Sequence, residues 1–184
     1  MNGSIPMPDR ASSTVHPAAL APEALERQCK IQMTRRSGPG GQNRNKVETA
    51  VVLIHGPTGL RAQASERRSQ GENRAVALRR LRLALAIAIR TPIDAGRLSA
   101  YAPSACWVNR CRGGRIVVSP DHEEFPALLA EALDVLHAAS FEPRIAAGAL
   151  GCSPSQLIKL IKDEPRALGL INEERHKNGQ RPLL

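Results

Sequence analysis

Aromatic side chains are nearly missing from this chain: one Trp, one Tyr and two Phe among 184 residues. Recognition of single-stranded nucleic acid by stacking bases on rows of aromatics is therefore excluded. The four cysteines, Cys29, Cys106, Cys111 and Cys152, include no Cys-x-x-Cys pair, and Cys106, Cys111 and His122 match no common zinc spacing. We expect no metal, no cofactor and a reducing, cytoplasmic setting. The longest strongly apolar stretch, Leu83 to Ile89, lies between Arg82 and Arg90 and is far too short to span a bilayer. The first residues also lack the apolar run of a secretory signal, so we expect no membrane association.

What is present in excess is positive charge. The chain has 26 Lys plus Arg against 17 Asp plus Glu, a net +9, with 42% hydrophobic residues, enough for a core. Residues 1–100 hold 16 cations against 7 carboxylates, whereas residues 101–184 hold 10 of each. The whole excess thus lies in the first half, the footprint expected of a domain that meets a polyanion.

Within that half, residues 37–46 read Ser-Gly-Pro-Gly-Gly-Gln-Asn-Arg-Asn-Lys. Gly40 and Gly41 permit a backbone path and a closeness of approach that side chains forbid, so they can press Gln42 against a reacting centre. A glutamine amide is neutral at every pH. It donates to a developing oxyanion or orients a water but is no general base, so catalysis here is positional and electrostatic. Arg35, Arg36, Arg44 and Lys46 flank the loop and point to a substrate carrying phosphate.

This stretch resembles the peptidyl-tRNA hydrolysis domain of class I peptide chain release factors. The likeness runs in order through Ser37-Gly38-Pro39-Gly40-Gly41-Gln42, Asn45-Lys46, Glu48-Thr49-Ala50-Val51, His55, Pro57-Thr58-Gly59, Arg68-Ser69-Gln70 and Asn73-Arg74, over about residues 29–90. It implies that the loop enters the peptidyl transferase centre and that Gly40, Gly41 and Gln42 form the catalytic element. Gln42 would coordinate the attacking water while its backbone N–H stabilises the oxyanion. It further implies ribosome (large-subunit rRNA) and peptidyl-tRNA as partners of a monomer. The expected RNA contacts are Arg35, Arg36, Arg44, Asn45 and Lys46 at the loop, with Arg67, Arg68, Gln70, Asn73 and Arg74 further on. Arg44 stands where the family usually has valine. Full-length release factors also carry a stop-codon-reading domain, for which this chain leaves no room, so we expect codon-independent action. Small relatives that rescue stalled ribosomes end in a long basic tail, whereas residues 164–184 here carry a net of only +1. His55 sits in a turn with no nucleophile nearby and is expected to be structural.

The expected fold class is α+β: a small β-β-β-α domain carrying the Gly-Gly-Gln loop, then a mainly helical, helix-turn-helix-like module. Residues 1–20 read as a disordered arm, 22–100 as the hydrolase domain, 101–121 as a linker with a β-hairpin, and 122–184 as the helical module. Strands are expected at 29–35, 47–54 and 60–64, followed by a helix to about Arg90 opened by a Ser69/Glu72 capping box. An apolar stripe of Ala77, Leu81, Ala84, Leu85 and Ala88 should pack on the sheet and leave Arg79, Arg82 and Arg90 on the opposite face. A hinge is expected from Thr91 to Ser104, with hairpin strands at 107–111 and 115–119. Ala147, Leu150, Gly151, Leu157 and Leu160 fall where a helix-turn-helix places its small residue, turn glycine and core contacts. A non-enzymatic RNA-binding or regulatory protein is the competing class.

Overall fold

The computed structural model describes residues 15–34 and 49–184. After a short helix α1 (Pro22–Arg27), strands β1 (Cys29–Thr34), β2 (Ala50–His55) and β3 (Arg61–Ala64) form an antiparallel sheet in the order β1-β2-β3. The central strand reads Ala-Val-Val-Leu-Ile-His and is buried at all but Ile54. The turn from β2 to β3 places Gly59 at φ 71°, where a side chain would be strained, and the Gly59 N–H donates to the His55 carbonyl at 2.8 Å.

Helix α2 (Gln70–Ala88) follows and packs on the sheet. Ala77, Leu81 and Leu85 of the expected stripe are fully buried, whereas Ala88 is exposed. The capping box does not form: Ser69 is the N-cap residue, but its hydroxyl makes no capping bond.

Arg79, Arg82 and Arg90 do lie away from the sheet, but that side of α2 is covered by a further helix. Helix α4 (Phe125–Ala138) packs against α2, with Arg82 and Arg90 beside it and Arg79 reaching the segment that precedes it. Arg82 is only 9% exposed and donates from Nε to the Ala18 carbonyl (3.0 Å) and from Nη1 to the Glu123 carbonyl (2.7 Å). Arg79 reaches the Pro120 carbonyl (2.5 Å) and Asp121 (3.1 Å), and Arg90, just past the end of α2, pairs with buried Asp134 (3.2 Å) while donating to the Ala86 and Ile87 carbonyls of the helix's last turn. Long cationic side chains here bridge elements instead of facing water, because otherwise unpaired backbone carbonyls need donors.

Three further expectations change. Residues 17–19, placed in the disordered arm, form a 3₁₀ turn with Ala18 fully buried against α2 and α4. The Thr91–Ser104 hinge contains a second 3₁₀ turn, Ala95–Ala100, and is tied down where Glu131 accepts from the Tyr101 hydroxyl (3.1 Å) and the Ser104 N–H (2.7 Å). Trp107, expected in a strand, lies in helix α3 (Ala105–Arg110), because the Ser104 hydroxyl caps that helix by accepting from the Trp107 N–H (3.1 Å). The hairpin itself is short: β4 (Cys111–Arg112) and β5 (Arg115–Ile116) around Gly113-Gly114.

Helices α5 (Pro143–Leu150), α6 (Pro154–Lys162) and α7 (Pro165–Lys177) complete the chain. Between α5 and α6, Gly151 adopts φ 66° and the Ser153 hydroxyl accepts from the Gln156 N–H (3.2 Å), the turn and cap of a helix-turn-helix. One hydrophobic core runs from Val51 and Leu53 through Leu81 and Leu85 to Leu129, Leu133 and Leu157, with no break between the halves.

Candidate functional site

The expected catalytic residues Gly40, Gly41 and Gln42, and the flanking Arg35, Arg36, Arg44, Asn45 and Lys46, lie outside the described residues. What is described is the base from which they spring. Thr34, the last residue of β1, is paired in register with Ala50, the first of β2, so residues 35–49 connect two adjacent antiparallel strands.

That base is fastened to α2 by Asn73. Its amide is fully buried: Nδ2 donates to the Thr49 carbonyl (2.7 Å) and the Arg67 carbonyl (3.0 Å), and Oδ1 accepts from the Arg67 N–H (2.9 Å). Every direction in which this side chain could address RNA is taken. The expected RNA contact at Asn73 is thus corrected to a structural clamp, joining the end of the loop segment, the approach to α2 and α2 itself. Arg74 is also engaged: its guanidinium grips Glu26 of α1 through Nε–Oε1 (2.7 Å) and Nη2–Oε2 (2.5 Å). Its charge is matched by that carboxylate.

Arg67 and Arg68 have exposed side chains with no ion-pair partner among the described residues. Arg67 is held in place through its backbone, since Asn73 binds both its N–H and its carbonyl. Arg80 fixes the preceding turn by donating to the Gln63 carbonyl (2.7 Å) and to Glu66 (2.6 Å). The Glu66 carboxyl is held below its ordinary value, first by the Ser65 backbone N–H and also by Arg80. Gln70, half-buried, is the first residue of α2.

His55 is 1% exposed, with Nδ1 2.7 Å from Thr58 Oγ1 and Nε2 3.0 Å from Gln28 Oε1. Burial pushes its imidazole below the usual value. Both ring nitrogens are committed, so it locks the β2–β3 turn to the end of α1 and has none free for proton transfer. Sequence reasoning missed Glu26, Gln28 and the Thr49 carbonyl. Only the Asn73-Arg74 pair at the helix start signalled them, and it is equally compatible with RNA contact.

A cleft of about 580 Å³ lies elsewhere, between residues 15–19, the 91–104 connection and α4, lined by His16, Arg82, Tyr101, Glu131 and Asp134. Its carboxylates are already bound by Tyr101, Ser104 and Arg90. Within its wall the Ser104 hydroxyl donates to Glu131 Oε2 (2.5 Å) and the Tyr101 hydroxyl to Oε1 (3.1 Å), bonds that tie the 91–104 connection to α4.

Residues 22–95 match the RF-1 domain. The chain is 46% identical over 69 residues to peptide chain release factor PrfB1, chloroplastic, of Arabidopsis thaliana, covering 38% of this chain and 15% of that protein. It is 44% identical over 75 residues to peptide chain release factor 1 of Acidiphilium cryptum, covering 41% and 21%, and 45% identical over 60 residues to peptide chain release factor 2 of Campylobacter concisus, covering 33% and 16%. The chain therefore spans about a fifth or less of these relatives' lengths. Over residues 22–95, then, this chain is similar to the RF-1 domain and to peptide chain release factors.

Proposed function

We propose that this protein acts on the ribosome as a codon-independent hydrolase of peptidyl-tRNA. Water adds to the ester carbonyl joining peptide to tRNA, the oxyanion is met by the Gln42 backbone N–H, and collapse releases the peptide acid and the tRNA hydroxyl. The Gln42 amide orients the water, and Gly40 and Gly41 let the backbone reach the ester. Large-subunit rRNA and peptidyl-tRNA are the partners, Arg67 and Arg68 supply phosphate contacts from a fixed frame, and the protein works as a cytoplasmic monomer. One observation carries the reading: the Gly-Gly-Gln sequence lies on the connection between two paired strands, inside the segment that matches the RF-1 domain.

The test is peptide release from ribosome-bound peptidyl-tRNA, with and without mRNA in the A site. Release without a stop codon is expected, and Gly41→Ala should abolish it while leaving ribosome binding nearly intact. Gln42→Ala should lose less, because loss of an oxyanion donor costs on the order of 3 kcal/mol and the backbone donor survives in that variant. The α5–α6 helix-turn-helix favours a second, non-enzymatic regulatory reading. Ribosome binding with no release by the unaltered protein would select it.

A further inference from the structure

We propose that the β4–β5 hairpin and helix α6 form a second nucleic-acid contact surface, one that grips the phosphate backbone of base-paired RNA. The equal numbers of cations and carboxylates in residues 101–184 conceal how they are arranged. Arg110 pairs with Glu124, Arg166 with Glu164, Lys177 with Glu174, and Arg175 is buried beside Glu142. Carboxylates are consumed in these pairs, and in the Asp121 and Asp134 pairs with Arg79 and Arg90. Arg112, Arg115, Lys159 and Lys162 are exposed and have no ion-pair partner among the described residues.

These four cations are brought together by backbone and side-chain bonds between hairpin and helix. The Ser153 N–H donates to the Gly114 carbonyl (3.0 Å), Gly114 bridges Cys152, and the Ile116 N–H donates to Gln156 Oε1 (3.2 Å). The Gln156 side chain thereby seats the hairpin on α6. Lys159 lines a shallow groove with Ile116, Val118 and Gln156, and Lys162 follows it on the same helical face, opposite the buried Leu157, Leu160 and Ile161. Asp163, also in that groove, is the one carboxylate among its lining residues.

A second observation is independent of the count. Arg112 and Arg115 are direct cross-strand partners. Like charges placed opposite each other in a two-stranded ribbon destabilise it. Nothing in the described structure relieves the repulsion, whereas a phosphate between the two guanidinium groups would. Gly113 and Gly114, at φ 57° and 76°, make the tight turn that puts both arginines at its base. The surface bears no aromatic residue, so it holds backbone phosphates and not stacked bases. The choice of RNA over DNA rests on the proposed ribosomal function.

The test is anisotropy titration of the full chain against a short labelled RNA duplex across a range of salt concentrations. Arg112→Glu with Arg115→Glu keeps a like-charged pair in the hairpin, so the hairpin's own electrostatic penalty is preserved while attraction for phosphate is reversed. This variant, and separately Lys159→Glu with Lys162→Glu, should lower the slope of log affinity against log salt by about two units, roughly 0.9 for each phosphate no longer neutralised. A charge-matched control, Arg97→Glu with Arg181→Glu, should leave the slope in place. An unchanged slope in the hairpin variant, or an equal fall in the control, overturns the proposal. A loss of ribosome binding without loss of duplex binding also overturns it and points to an acidic protein face, and preference for a DNA duplex of equal length overturns the choice of RNA. None of these readings depends on peptide release, so the outcome is separable from the fate of the hydrolase proposal.

Discussion

Asn73 shows how much one buried amide can hold. Replacing it by alanine leaves the Thr49 carbonyl and both backbone groups of Arg67 without their partner. Each unsatisfied group costs about 1–3 kcal/mol, so Asn73→Ala should lower unfolding stability by roughly 3 kcal/mol in urea titration and slow peptide release. If Asn73 instead served RNA directly, the variant would bind ribosomes less tightly with an unchanged urea midpoint. His55 sets a pH dependence of definite sign. Its folded-state pKa is depressed by burial, so the unfolded chain binds the proton more readily. The stability it contributes is complete above about pH 6.5 and is lost as pH falls through the folded value. His16, also pushed down chiefly by burial, acts in the same direction. The urea midpoint should therefore fall between pH 7 and pH 5, and His55→Gln should shrink that fall without removing it; an undiminished fall would show that His55 is not its source. At this scale the sequence made a structural His55 readable, because the residue lay in a turn with no nucleophile nearby. It could not disclose the role of Asn73, whose partner carbonyl comes from 24 residues earlier in the chain.

Among the elements, α2 departs most instructively from its reading. Periodicity located the helix and its sheet-facing stripe because apolar spacing encodes one buried face. The other face is buried through arginines, and hydropathy counts an arginine as solvent-facing whatever its partners. The two kinds of arginine on this helix should respond differently. Arg82→Ala removes the donor to two carbonyls at a buried site and should cost roughly 3 kcal/mol. Arg74→Ala breaks an exposed pair and should cost less than about 1 kcal/mol. Equal costs in urea titration would mean that Arg82 is not the bridge described. The helical character of residues 122–184 was readable, since Pro143, Pro154 and Pro165 open α5, α6 and α7 and Ser153 caps α6. Trp107 misled because its β-propensity is overridden by the Ser104 cap.

In the whole molecule, the continuous core makes the two halves a single unfolding unit. Trp107, the only tryptophan, is buried in the second half with its indole N–H on the Leu150 carbonyl at 2.7 Å, whereas the sheet lies in the first. Tryptophan fluorescence and far-ultraviolet circular dichroism should report coincident urea transitions. Two separated transitions would restore the picture of independent modules joined by a hinge. The same packing implies that a fragment ending near Thr91 would expose the face of α2 that bears Ala86 and Arg82.

Helix α2 is 19 residues long, roughly 28 Å at 1.5 Å per residue. Its first turn holds Thr49 through Asn73, its later turns hold the second half through Arg79 and Arg82, and Arg90 just past its end does the same. It is therefore a lever with the connection that bears the Gly-Gly-Gln sequence at one end and the helical half along its arm. A tilt imposed on the hairpin and α6 by whatever they grip would arrive at Thr49 as a change in where the loop is aimed.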